Sequence, residues 1–148
     1  MLEFCEDFEY TPVIFNANQT VNSKREAIYH TNVMMCLAET FAVSCLGSID
    51  DKKERKNVLK HLKEDGKKVI EISEEQVASF AGNMLQVRGT DNELFLVMSQ
   101  AAYDSLTTSQ IAQINNHCKI ISSSLDTIEA CGGGSARCMM AEVFLPKI

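Results

Sequence analysis

The sequence predicts an α/β fold assembled from repeated strand–strand–helix–strand units, and three observations carry that prediction. Short runs rich in β-branched and aromatic residues alternate with capped amphipathic segments. The same order of elements occurs twice. Matching positions keep one spacing: Phe41 with Leu94, Val58 with Ile111 and Val69 with Ile120 stand about fifty residues apart, an internal repeat.

Taken in order, Leu2, Cys5 and Phe8 have helical spacing and precede a short expected strand, Pro12–Phe15. Ile28–Cys36, rich in β-branched residues, predicts a strand that places His30, Asn32 and Met34 on one face and Tyr29, Thr31 and Val33 on the other. Phe41–Leu46 is its hairpin partner. Asp50-Asp51 then opens a helix with the apolar stripe Val58, Leu59 and Leu62, which Gly66 ends before the strand Lys68–Ile72. In the second unit Gly82–Val87 and Glu93–Met98 form strands around the turn Gly89–Asn92. A capping box of Thr107 and Gln110 starts a helix with Ile111, Ile114 and Cys118 on one face, and Lys119–Ser122 is the closing strand. Thr127–Ala130 and Cys138–Leu145 are expected to pair as a hairpin around a glycine-rich loop. The organisation is thus a partial module 1–26, modules 27–73 and 74–124, and a partial module 125–148. Units of this kind bury their faces against neighbours, so open strand edges and self-association are expected.

Composition narrows the function. The 148 residues are 45% apolar and 23% charged, with seven glycines and two prolines, which excludes a disordered or collagen-like chain. A net charge of −6 gives no nucleic-acid footprint, and the basic run Lys52–Lys68 is interleaved with Glu54, Glu64 and Asp65 as a solvated helix face. No apolar run is long enough to span a membrane and the first residues are acidic, so the expectation is a non-secreted, cytoplasmic protein. Six cysteines without a C-x-x-C pair predict neither a disulfide framework nor a metal centre, and no cofactor is implied. Most of the thiols are expected in the core.

One thiol is set apart. In Gly132-Gly133-Gly134-Ser135-Ala136-Arg137-Cys138 the glycines allow backbone N–H groups to face a ligand, and these dipoles together with Arg137 favour a thiolate at Cys138. The competing reading is a flexible turn before a buried strand cysteine. His30 and Asn32 offer an imidazole and a neutral amide on one surface; the alternative is a satisfied interior histidine or a surface pair. His61 and His117 fall on helices and are expected in solvent. A cysteine with a histidine far upstream is a layout for thiol catalysis, because the pair need only meet in space.

Tyr29-His30-Thr31-Asn32-Val33-Met34-Met35, Phe80-Ala81-Gly82-Asn83-Met84-Leu85 and Gly132–Met139 resemble motifs of the amidinotransferase superfamily, nearest to the citrulline-utilisation hydrolases related to arginine deiminase. The resemblance runs through nearly the whole chain and corresponds to the C-terminal half of such proteins. It implies a partial five-bladed α/β propeller of the pentein type with its site on the axis. Cys138 matches the nucleophile and His30 the acid/base, while Asn32, Gly134 and Ser135 match substrate-contacting positions. Asn32 stands where arginine deiminases hold aspartate, which suits a neutral ureido group better than a guanidinium. The implied function is a cysteine-dependent hydrolase of a ureido or guanidino C–N bond, acting through a covalent thio-intermediate on a small guanidino or ureido amino acid. The alternative is a truncated, inactive remnant or interaction module of the same fold. The implied partner is a second copy or the missing N-terminal half, which supplies the acidic substrate-gripping residues. Glu129 and Glu142 are weak local substitutes for those acids; Glu142 lies about 13 Å along the strand from Cys138 and is expected to be structural.

Overall fold

The computed structural model describes residues 2–142, which form two three-stranded sheets flanked by helices, with a small N-terminal hairpin against them. The first sheet consists of β3 (Met35–Leu37), β4 (Phe41–Ser44) and β5 (Lys68–Glu71), after β1 (Asn18–Val21) and β2 (Lys24–Ala27) of the hairpin. The second consists of β6 (Leu85–Arg88), β7 (Leu94–Ser99) and β8 (Lys119–Ser123). Both have one topology: the first two strands pair antiparallel, and the third joins the central strand in parallel. A parallel return needs a crossover, and helices supply it. These are α2 (Lys52–Glu64) in the first half and α4 (Gln100–Ser105) with α5 (Thr108–Asn115) in the second, while α1 (Leu2–Asp7) precedes the hairpin and α3 (Glu74–Ala78) lies between the sheets in sequence.

The helix boundaries follow from local chemistry. Asp51 caps α2, its carboxylate accepting the amides of Lys53 at 2.7 Å and Glu54 at 2.9 Å, and Gly66 takes φ +72° just beyond the helix. Thr107 and Gln110 form the expected capping box on α5. Ser73 and Gln76 form another on α3, a helix too short to show a periodic stripe. Gln76 also joins the halves, donating to the Ser105 carbonyl and exchanging hydrogen bonds with Gln110.

One core runs through both sheets. Phe41, Ile49, Ile70, Met84, Leu96, Met98 and Ile114 are fully buried in it. Cys5, Cys36, Cys45 and Cys118 are buried as expected, while Cys131 and Cys138 are exposed. Burial pushes the Cys36 thiol up to about 12 and raises that of Cys118, so neither is a nucleophile near neutral pH. The sheets are also tied at the β3–β4 turn. The Gln86 side chain accepts the Glu39 amide at 2.8 Å, Arg88 pairs with Glu39, and Thr40 meets His117 Nδ1 at 2.8 Å. His117 packs 4.9 Å from the Phe41 ring, so it is a sheet-joining residue.

Four expectations are corrected. Ile28–Cys36 is not one strand: β2 ends at Ala27, residues Thr31–Val33 form a 3-10 turn, and only Met35–Leu37 pair. Residues Pro12–Phe15 have no strand partner; Val13 and Phe15 pack on the core, and the strands come later, at β1 and β2. That hairpin turns through Asn22 (φ 49°) and Ser23 (φ 63°), the left-handed pair that tight two-residue connections require. Thr127–Ala130 belongs to a helix, α6 (Asp126–Gly132), which has acidic residues in its first turn and ends at Gly133 in the left-handed region, φ 65°. Cys138 lies on a 3-10 turn, Ala136–Met139, instead of a strand. The remainder of the expected strand, 143–145, lies outside the described residues.

The hairpin is held by Arg25, which pairs with Asp50 at 2.6 Å and with Glu74, while Glu74 also accepts the Thr20 amide at 2.9 Å. Hydrogen bonds from Arg25 and then Asn18 hold the Asp50 carboxyl below its usual range. Burial pushes Glu74 up, but its bonds from Arg25 and Thr20 outweigh this and leave it lowered. Groups lowered in the folded state stabilise above the unfolded carboxylate range and lose that contribution as pH falls through their folded values. The β1–β2 amides are therefore expected to have lower hydrogen-exchange protection factors, taken against the intrinsic rate at the same pH, below about pH 4 than at pH 6. Arg25→Ala should abolish that pH dependence.

Candidate active site

Three chain segments converge on one side chain that the sequence reading left without a role. Asn83 is 4% exposed and follows a tight turn between α3 and β6. Its Nδ2 donates to the Asn32 carbonyl at 3.1 Å and to Cys138 Sγ at 3.2 Å. Its backbone carbonyl accepts the Arg137 amide at 3.3 Å. Because the Asn32 carbonyl only accepts, the amide nitrogen and not the oxygen must face both partners. Gly82 makes the approach possible: a Cβ there would meet the backbone of Val33 and Met34, so the turn lies directly on the His30–Met34 segment.

The cysteine loop is built for an exposed sulphur. Gly134 is needed beside it, since a Cβ at that position would lie 2.9 Å from Cys138 Sγ. The Cys138 amide donates to the Ser135 carbonyl at 3.0 Å, and Ser135 is fully buried with its hydroxyl donating to Glu129 at 2.6 Å. The Ser135 side chain thus braces the loop and is not open to a ligand. Glu129 is the receptor of that brace, in keeping with a structural role. Arg137 differs from its expected place beside the thiolate: its guanidinium pairs with Glu142 at 3.0 Å. Glu142 is held by that pair in a segment that is not a strand, so the expected strand parity with Cys138 does not exist.

His30 caps the 3-10 turn, its Nδ1 accepting the Asn32 amide at 3.1 Å. This bond fixes the neutral ring with its proton on Nε2. His30 and Asn32 therefore do not share a strand face; the ring folds back on the asparagine's backbone. His30 is exposed and borders a recess of about 190 Å³ whose wall mixes polar surface with the apolar side chains Val13, Phe15, Ile28 and Met34. Cys138 is not among the residues lining that recess. Asn83 links the His30–Asn32 segment to the cysteine loop: its one amide nitrogen donates both to the Asn32 carbonyl and to the Cys138 thiol. Its sequence signal was a polar residue after glycine within the apolar run Phe80–Leu85. Among the described residues, no three His, Cys, Asp or Glu side chains gather as a metal site, and no helix is long and apolar enough to cross a membrane.

Chemically, the arrangement offers an accessible thiol with a buried N–H donor on its sulphur. Comparison with known proteins places the chain in a family. The chain is similar in structure to the apo form of ArgZ, an arginine dihydrolase from the ornithine–ammonia cycle in cyanobacteria, at a TM-score of 0.57 and 18% identity. The match covers 81% of this chain and 18% of that one, and at this identity it shows the shared α/β fold. No curated protein matches. The family model for eukaryotic N,N dimethylarginine dimethylhydrolase matches residues 1–145. With that match across nearly its whole length, the chain belongs to the eukaryotic N,N dimethylarginine dimethylhydrolase family, within the amidinotransferase superfamily.

Proposed function

We propose that the chain carries the nucleophile-bearing part of a cysteine-dependent hydrolase that cleaves a guanidino C–N bond in an arginine-type amino acid, with N-methylated arginine as the leading substrate. The observation that carries the reading is the exposed Cys138 thiol accepting a hydrogen bond from an amide that also holds the His30–Asn32 segment. The family match supplies the substrate class. In the same reading the two sheets are two modules of a five-module propeller, and the acidic groups that grip the guanidinium come from outside residues 2–142.

The Cys138 thiolate attacks the central guanidino carbon, forming a C–S bond. Collapse of that adduct breaks the C–N bond, and the departing amine takes the Nε2 proton of doubly protonated His30, which becomes the neutral ring. Water then attacks the thio-intermediate, His30 takes one of its protons at Nε2, and the C–S bond breaks to return the thiolate and a ureido product, the water's second proton passing to solvent. From dimethylarginine the products are dimethylamine and citrulline. Accepting a proton at Nδ1 requires the His30 ring to release the Asn32 amide, so the capped turn opens during the cycle. The neutral Asn32 amide and the backbone of Gly134 and Ser135 line the substrate. Asn32 also suits a neutral ureido group, which keeps citrulline as the second substrate to test.

The test is trapping by a haloacetamidine, which presents an amidinium to the nucleophile. Cys138 should be labelled at least tenfold faster than Cys131, the other exposed cysteine. Equal labelling of the two would favour an inert module of the same fold and sink the reading.

A further inference from the structure

Asn83 is buried, yet its Oδ1 has no hydrogen-bond partner among the described residues. A buried unpartnered acceptor is costly, and architecture alone favours a residue without one. What the asparagine supplies is its donor end, with one N–H on the Asn32 carbonyl and the other on the Cys138 sulphur. The contact that places the cysteine loop, Arg137 amide to Asn83 carbonyl, runs through the backbone and survives any substitution of the side chain.

We propose that Asn83 is a positioning residue that tunes Cys138: its amide stabilises the thiolate and fixes the sulphur against the His30–Asn32 segment. The proposal rests on Cys138 as the nucleophile of the preceding section, and it adds a group that acts through the thiol without touching substrate. A hydrogen bond to a charged acceptor is stronger than one to its neutral form, so the bond is worth most when the sulphur is ionised. Removing it should leave a thiol that ionises only at higher pH, with the loop still seated by its backbone contact.

The experiment is the pH profile of Cys138 alkylation by iodoacetamide in a Cys131→Ser background, followed by peptide mass mapping. Two variants, Asn83→Ala and the similarly shaped Asn83→Leu, are compared with the parent, and circular dichroism confirms that each is folded. The expected result is a profile displaced upward by roughly one pH unit in both. Unchanged profiles in folded variants would overturn the proposal and leave the nucleophile reading intact. Loss of fold in both variants would assign Asn83 to architecture and overturn it too. Equal labelling of Cys138 and Cys131 by the haloacetamidine in the unsubstituted protein would sink the nucleophile reading instead, while the displacement still decides the role of Asn83, because it is read on the Cys138 peptide itself.

Discussion

Gly82→Ala is expected to destabilise the protein by about 2 kcal/mol and to lower its melting temperature by roughly 5 °C. The added methyl group would meet the Val33 carbonyl and the Cα and carbonyl carbon of Met34, the latter two at 2.8 Å. These are backbone atoms next to a fully buried methionine side chain, so no rotamer change relieves the clash. The turn must back away from the His30–Met34 segment, and Asn83 moves with it. Haloacetamidine labelling of Cys138 should therefore slow in the same variant. Gly47→Ala is the matched control: nothing lies within 4 Å of a Cβ there, and its melting temperature should stay near that of the parent. Thermal denaturation of the three proteins checks the prediction, and equal loss in both variants would contradict it.

Cys138→Ala should reduce release of citrulline and dimethylamine from dimethylarginine by roughly 10³-fold or more, because among the described residues no other accessible thiol has a donor aimed at its sulphur and the covalent route is closed. Its melting temperature should change little, since the side chain is exposed. Cys131→Ala, at the end of α6, should keep the parent rate. The pair separates loss of the nucleophile from loss of any surface thiol, and a rate retained in Cys138→Ala would remove the proposed chemistry altogether.

Much of the secondary structure was legible because caps and helical stripes are local signals. Asp51, Gly66 and the Thr107–Gln110 box each act within a turn of their own position, and the two parallel crossovers followed from them. The β-branched residues from Ile28 to Val33 read as a strand, yet the His30 ring accepts its neighbour's amide and makes a turn instead. The β1–β2 hairpin was missed because both strands are polar, with β2 exposed throughout and β1 mostly half-buried, leaving no alternation to read. At the site, Cys138 and His30 stood out by residue type. Asn83 did not, because its role exists only through partners 51 and 55 residues away.

That bridge has a consequence for the order in which the molecule assembles. Each sheet closes within its own stretch of chain, Phe41 reaching Lys68 and Phe95 reaching Lys119. The bridge must draw together segments from both halves and from the loop beyond them, a closure with a larger entropic cost and only a few hydrogen bonds to offset it. The sheets are thus able to form before the bridge does, and the bridge is the part that opens first when stability is lost. Reactivity of the thiol then becomes a clock for the last step of folding: refolding chains should recover their circular dichroism before Cys138 recovers its native rate of labelling.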